Sequence, residues 1–296
     1  MGKDLIKNGY IPLDKSWMIR MGTLDAIYGY EDTTLFLKRQ SLLSDDLQAL
    51  YCACRLWRTN EPIDVGESAT LFRFLRFAAW KFGLDKKFIL RGTLKKRRIT
   101  DNPEIIHWPL ADLLKLDNNT SQWASAAVLF GNKEIIDNPP YKLKLTYKAV
   151  NHWREQRAKS QSWLPRYDQT ILRQAETFLK ILYGESVEFK PEQAEDYCFV
   201  RAFGFISATE GESRWPSLRG HESDRIRGME KALNDFAANK EIISNDHRII
   251  QAIVMKAKIE NKNVLIKYPS AINKSWPQFW DFLKDAEKNS RNELMI

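Results

Sequence analysis

The sequence predicts an α/β protein. Amphipathic helical patterns recur along the 296 residues, and short apolar runs of β-forming residues fall between them. No low-complexity segment or long flexible linker breaks the alternation.

The elements follow in chain order. SLLSDDLQALYCACRLW (41–57) sets Leu43, Leu47, Leu50 and Cys54 on one helical face. SATLFRFLRFAAWKFG (68–83) is a mostly apolar helix that stops at Gly83. KFILRGT (87–93) reads as a strand. TSQWASAAVLFG (120–131) opens on a Thr-Ser cap and stops at Gly131. DNPP (137–140) marks a turn, and YKLKLTY (141–147) alternates as a strand does. A polar stretch, 155–165, precedes the helix ILRQAETFLKILYG (171–184). EQAEDYCFVRAFGFIS (192–207), ESDRIRGMEKALNDF (222–236) and DHRIIQAIVMKAKI (246–259) are further helices. In the second of these, Ile226, Met229, Leu233 and Phe236 make a buried stripe. NVLIKY (263–268) reads as the last strand.

The composition is 44% hydrophobic, with ten tryptophans and fifteen phenylalanines, which suits one large or two ordinary domains and excludes disorder. The net charge of +8 suits an anionic partner: nucleic acid, a membrane surface or small phosphorylated ligands. Cys52, Cys54 and Cys198 are an odd set without a CxxC pair, read as buried thiols rather than a disulfide framework or zinc site. The first residues, MGKDLIKNGYIP, lack the apolar run of a signal peptide, and no run reaches membrane-spanning length. A cytoplasmic protein is expected.

The helix starts carry the functional signal. Ser68 and Thr70, Thr120 to Gln122, Glu192, Glu222 with Asp224 and Arg225, and Asp246 with Arg248 all sit at such ends. Asp246 is an ordinary cap, but Arg248 is a cation where the helix dipole is already positive. Either a carboxylate pairs with it or a bound anion does. Several starts of this kind suggest helix N-termini converging on one polyanionic pocket.

On these residues the chain resembles the 5-enolpyruvylshikimate-3-phosphate synthase family. LDKSWMIR (13–20) is similar to its Lys-Ser-x-x-x-Arg motif, and VGESATLFRFL (65–75) to Gly-Asn-x-Gly-Thr-x-x-Arg. GTLKKRRI (92–99) and PPYKLKL (139–145) resemble two further segments, and TSQWASAAVLF resembles its Ser-Ser-Gln helix start. GHESDRI (220–226), DHRII (246–250) and INKSWPQFWDFL (272–283) complete an ordered set from Lys15 to Leu283. The resemblance implies a two-domain enolpyruvyl transferase fold of repeated βαβαββ units, an inside-out α/β barrel with reduced repeats here. Its domains would be 15–154, and 1–14 plus 155–296, with the active site in the cleft between them. The implied reaction moves the enolpyruvyl group of phosphoenolpyruvate to the 5-hydroxyl of shikimate 3-phosphate and releases phosphate, without metal or organic cofactor. The expected partners are these small anions, with no nucleic acid, no membrane and a monomeric chain.

Carried over motif by motif, the resemblance implies Lys15, Glu192 and Glu222 as catalytic, with Asp196 an alternative to Glu192. It implies phosphoenolpyruvate contacts from Lys15, Ala69, Arg97, Gln122, Arg225, Arg248 and Lys274. Shikimate 3-phosphate contacts would come from Ser16, Arg20, Thr120, Ser121, Gln122, Tyr141, Glu192 and His221. Trp163, Trp276 and Trp280 are expected in the core, and His247 in a structural role. Within LKKRR (94–98), Arg97 is expected in the cleft and its basic neighbours in solvent.

The chain also departs from the family. It is shorter, and Ala69 stands where the family has glycine, which implies a narrower phosphoenolpyruvate pocket and reduced glyphosate sensitivity. Glu67 replaces an asparagine, and His221 a lysine. An enolpyruvyl transferase with another acceptor, a non-catalytic anion-binding homologue and, on charge alone, a nucleic-acid binder are the other readings.

Overall fold

A computed structural model describes residues 2–131, 138–219 and 224–293. The chain divides into two compact units, Leu13–Arg166 and Met1–Pro12 with Tyr167–Ile296, called here the middle and terminal units. The whole net charge of +8 falls in the middle unit, and the terminal unit is neutral.

In chain order the helices are α1 (Gly2–Lys7), α2 (Lys15–Tyr28), α3 (Asp32–Lys38), α4 (Asp45–Leu56), α5 (Ala69–Lys81), α6 (Leu110–Leu113), α7 (Leu116–Asn119) and α8 (Gln122–Phe130). They continue with α9 (Lys144–Ala158), α10 (Gln169–Leu182), α11 (Tyr197–Ala202), α12 (Ala208–Arg214), α13 (Arg225–Ala237), α14 (His247–Ile259) and α15 (Phe279–Glu293). The strands β1 (Ile63–Gly66) and β2 (Phe88–Leu90) pair in parallel on either side of α5.

This overturns the expected fold class. The chain is 61% helix and 4% strand, with one two-stranded sheet among the described residues, and is not an inside-out α/β barrel of βαβαββ units. Of the three expected strands, only 88–90 joins a sheet. YKLKLTY instead enters a short 3-10 turn and then α9. Leu143, Thr146, Tyr147 and Val150 are all buried, a helical spacing that continues past the alternating stretch. NVLIKY forms no strand; its isolated bridge among the described residues is Ile242 to Ile266, again parallel and again flanking a helix, α14, and Lys267 bends the chain.

The middle unit is organised on α2. Asp14 caps it by accepting from the Trp17 N–H, and Gly29 (φ 82°) ends it in the left-handed region that glycine enters without strain. Residues Trp17 to Ala26 are all buried, so the helix has no polar face. That is why no amphipathic stripe announces it. It packs against α3, α4, α5, α8 and α9. Asp25, fully buried near its end, accepts from Thr33, Trp153 and Trp163 and pairs with Arg157 at 2.8 Å.

In the terminal unit, α10, α14 and α15 enclose one core around Phe178, Trp276 and Phe282. A second core joins α11, α13 and α14 through Tyr197, Met229 and Ile253. Trp163 and Trp276 are fully buried as expected, whereas Trp280 is 40% exposed and lies outside the core. The cysteines are free; Cys198 is buried, but Cys52 and Cys54 are half-buried. No helix among the described residues is long and apolar enough to cross a membrane.

Candidate functional site

In the middle unit the structure gathers three of the motif segments. Gln122, at the start of α8, donates to Thr70 Oγ1 at 2.7 Å and accepts from Arg73 Nη1 at 2.6 Å. Arg73 also donates to Asp117 at 2.7 Å, and Asp117 accepts from Thr100 and from Trp123 Nε1. The backbone strains to place Asp117: it and the next two residues, Asn118 and Asn119, have φ of 47°, 63° and 60°. Burial alone would raise the Asp117 carboxyl, but the hydrogen bonds from Thr100, Arg73 and Trp123 and the Arg73 charge together hold it below its ordinary value. Arg73 is thus a buried cation with its carboxylate built in. Ala69 is buried at the start of α5, where Arg73 Nη1 donates to its carbonyl.

Arg20 is buried differently. Its Nε donates to Thr146 Oγ1 at 2.8 Å, and Thr146 donates to Ser125; Nη1 donates to the Ser16 carbonyl at 2.7 Å. These acceptors are neutral, and among the described residues no carboxylate makes an ion pair with Arg20. Burial lowers its pKa to about 10, against a smaller opposing pull from Asp14. Lys15 pairs with Asp46 at 3.0 Å. Thr120 and Ser121 are half-buried at the mouth of α8, Arg97 is half-buried, and Lys95, Lys96 and Arg98 are exposed. Tyr141 stands 81% exposed.

In the terminal unit the centre is the start of α14. Asp246 caps the helix by accepting from the Arg248 N–H at 3.0 Å, and pairs through its other oxygen with Arg225 Nε at 2.8 Å. Burial works to lower the Arg225 pKa, but Asp246, Cys198 and Glu195 together raise it above its ordinary value. Arg248 is 8% exposed, and its guanidinium donates to the Glu195 carbonyl at 3.4 Å. Among the described residues no carboxylate pairs with that guanidinium either. The buried Cys198 thiol lies in the same field. Burial pushes it up to about 12, Asp246 adds to the rise, and Arg225 and Arg248 oppose it.

The two placements for the expected catalytic carboxylate differ. Asp196 is fully buried and accepts from Arg173 Nη2, Gln174 Nε2 and the N–H groups of Glu192 and Gln193. Glu192 is exposed and pairs with Arg173 at 2.5 Å. Lys274 is half-buried in the turn before Ser275, which accepts from Gln251. His247 is buried on the first turn of α14. His221 and Glu222 lie outside the described residues, as do residues 132–137, which include Asp137 of the expected turn.

Arg73, Asp117, Thr146 and Arg173 are the partners that sequence reasoning did not single out. For Asp117 a signal existed: the run Asp117-Asn118-Asn119 has the residues that best tolerate left-handed backbone. No cluster among the described residues could hold a metal ion. No family model matches the chain, and no curated protein or solved structure matches it.

Proposed function

We propose that this chain binds small phosphorylated carboxylates, and that the reaction this serves is enolpyruvyl transfer from phosphoenolpyruvate to the 5-hydroxyl of shikimate 3-phosphate. One observation supports the reading most. Arg20 and Arg248, two of the arginines expected to hold substrate, are buried without a carboxylate partner among the described residues. Burying a cation costs several kcal/mol unless an anion accompanies it. An anionic ligand at each guanidinium removes that cost and gains a charge-assisted hydrogen bond. At Arg248 the N-terminal dipole of α14 adds to the attraction.

The transfer balances as follows. The 5-oxygen attacks C2 of phosphoenolpyruvate and loses its proton, while C3 gains one. The tetrahedral intermediate then expels phosphate as C3 returns a proton. Arg248 and Arg225 suit the phosphoenolpyruvate anion, and Arg20 and Ser16 the second substrate.

A second reading, anion binding without turnover, has its own support. Lys15, Asp196 and Glu192 each engage a neighbour of opposite charge.

The test is phosphate release from phosphoenolpyruvate, with and without shikimate 3-phosphate, on the natural chain and on Arg248→Met. Release that needs both substrates and vanishes in the variant supports transfer. Binding of phosphoenolpyruvate without release leaves the second reading, and no binding at all sinks both.

A further inference from the structure

The net charge of +8 is concentrated in one stretch of the middle unit. Residues 86–98, KKFILRGTLKKRR, hold seven basic side chains and no acidic one, and the other 283 residues are balanced at 39 Lys and Arg to 38 Asp and Glu. The fold then decides which of these cations stay available. Arg91 pairs with Asp64 at 2.5 Å, Lys86 donates to the Thr59 carbonyl at 2.6 Å, and Arg97 donates to Thr93 Oγ1 at 3.4 Å. Lys87, Lys95, Lys96 and Arg98 are exposed, and none of them makes an ion pair with a carboxylate among the described residues. The acids placed against the run are already engaged: Asp64 by Arg91, Glu67 by Thr93, and Asp101 by Arg76. Asp85 and Glu104 flank it in sequence and are exposed, two acids against four cations.

The run is anchored along its length. β2 pairs with β1, Phe88 meets Phe72 edge-on at 5.5 Å, and the Arg91 N–H donates to the Gly66 carbonyl at 2.8 Å. Leu94, 1% exposed, pins the short 3-10 turn that carries Lys95 and Lys96. Beyond Arg98, Thr100 donates to Asp117 through its N–H and its hydroxyl. Cations on an anchored backbone can bind without the entropy loss of ordering a free tail. Strand rise alone puts Lys87 and Arg91 about 13 Å apart, wider than one small phosphorylated acid. A partner that meets the whole run therefore repeats its charge along its length. Ile89 is the one exposed large apolar side chain of the run, too little for the apolar face that enters a bilayer. Phe88 is half-buried, so the run offers no stacking platform for single-stranded bases. A duplex backbone, with one negative charge per about 1.7 Å of axis, fits what is left.

We propose that residues 86–98 bind the phosphate backbone of double-stranded nucleic acid without regard to sequence, with Lys87, Lys95, Lys96 and Arg98 as the phosphate contacts. This departs from the expectation of small anions as the sole partners, and it does not depend on the anion sites of Arg20 and Arg248.

The test is fluorescence anisotropy of the full chain with two fluorescein-labelled DNA duplexes of unrelated sequence. Saturable binding is expected, equal for the two sequences, with a log–log salt slope of about −4 for four phosphate contacts. Lys95→Glu with Lys96→Glu should weaken binding about tenfold or more and make the slope shallower by about two. Lys148→Glu with Lys159→Glu makes the same change in net charge at two exposed lysines outside the run, and should leave binding nearly unchanged. Circular dichroism checks that both variants fold; the salt slope and the two-sequence comparison are read on the unaltered chain. The proposal is overturned by no binding, or by equal losses in the two variants, because net charge rather than the run is then responsible. It is also overturned if phosphoenolpyruvate displaces the duplex, if the matching single strand binds more tightly, or if phosphatidylserine vesicles do.

Discussion

The starts of α8 and α14 look alike in sequence, yet they are built differently. At α8 the cation is Arg73, and its anion, Asp117, is part of the chain. At α14 the cap carboxylate of Asp246 goes to Arg225, and the Arg248 guanidinium has a backbone carbonyl as its acceptor. The first arrangement is electrostatically complete and suits stability. The second sets two arginines against one carboxylate among the described residues. A polar helix start is therefore not itself a binding site; whether a carboxylate from another segment reaches the arginine separates the two cases.

The largest test of that contrast is Asp117→Ala. It removes the carboxylate that Arg73 Nε donates to inside the fold and should cost about 3–5 kcal/mol, read as a lower urea midpoint. A loss no larger than that of a surface pair would mean that Asp117 does not complete the α8 start. The same pair predicts a pH effect. The Asp117 carboxyl is held low, so its contribution is fully present above about pH 4, the ordinary aspartate value, and is lost as pH falls through the folded value. Asp117→Asn should flatten the acid limb of a stability-versus-pH curve.

Arg248→Met should move the other way. Without ligand, replacing a buried cation that no described carboxylate pairs with by an apolar chain of similar length should leave stability unchanged or raise it by about 1–2 kcal/mol. The same variant should lose the rise in Tm that phosphoenolpyruvate produces in the natural chain. A clear loss of stability in ligand-free Arg248→Met would show that its carbonyl hydrogen bond already suffices, and would erase the contrast with Arg73. Arg20→Met is expected to behave as Arg248→Met does, with shikimate 3-phosphate as the probe.

The smallest effect is expected at Lys15. Its pair with Asp46 is partly exposed, so Lys15→Ala should change stability by about 0.5 kcal/mol or less. A larger loss would place Lys15 with the structural pairs. Unchanged stability with abolished phosphate release would place it with the reaction.

What could be read from sequence follows from what a local pattern encodes. The helices α4, α5, α8, α10, α13 and α14 carry either an apolar stripe or a mostly apolar run with start and stop residues, and they appear within a few residues of their expected positions. α2 does not, because it is buried on all sides and lacks the polar face that gives a helix its period. YKLKLTY misled because seven residues of alternation also fit the opening of a helix whose buried positions continue to Val150.

The sequence by itself determined which segments become capped helices and which charged side chains stand on their first turns. Those are short-range matters of backbone hydrogen bonding and side-chain period. The tertiary structure alone decided that the extended runs do not assemble into the barrel the resemblance implied, and that Asp117 reaches Arg73 from 44 residues away while Arg248 meets no such carboxylate among the described residues. Strand pairing and ion pairing both depend on groups far apart in the chain, and a local pattern holds no record of which of them packing will bring together.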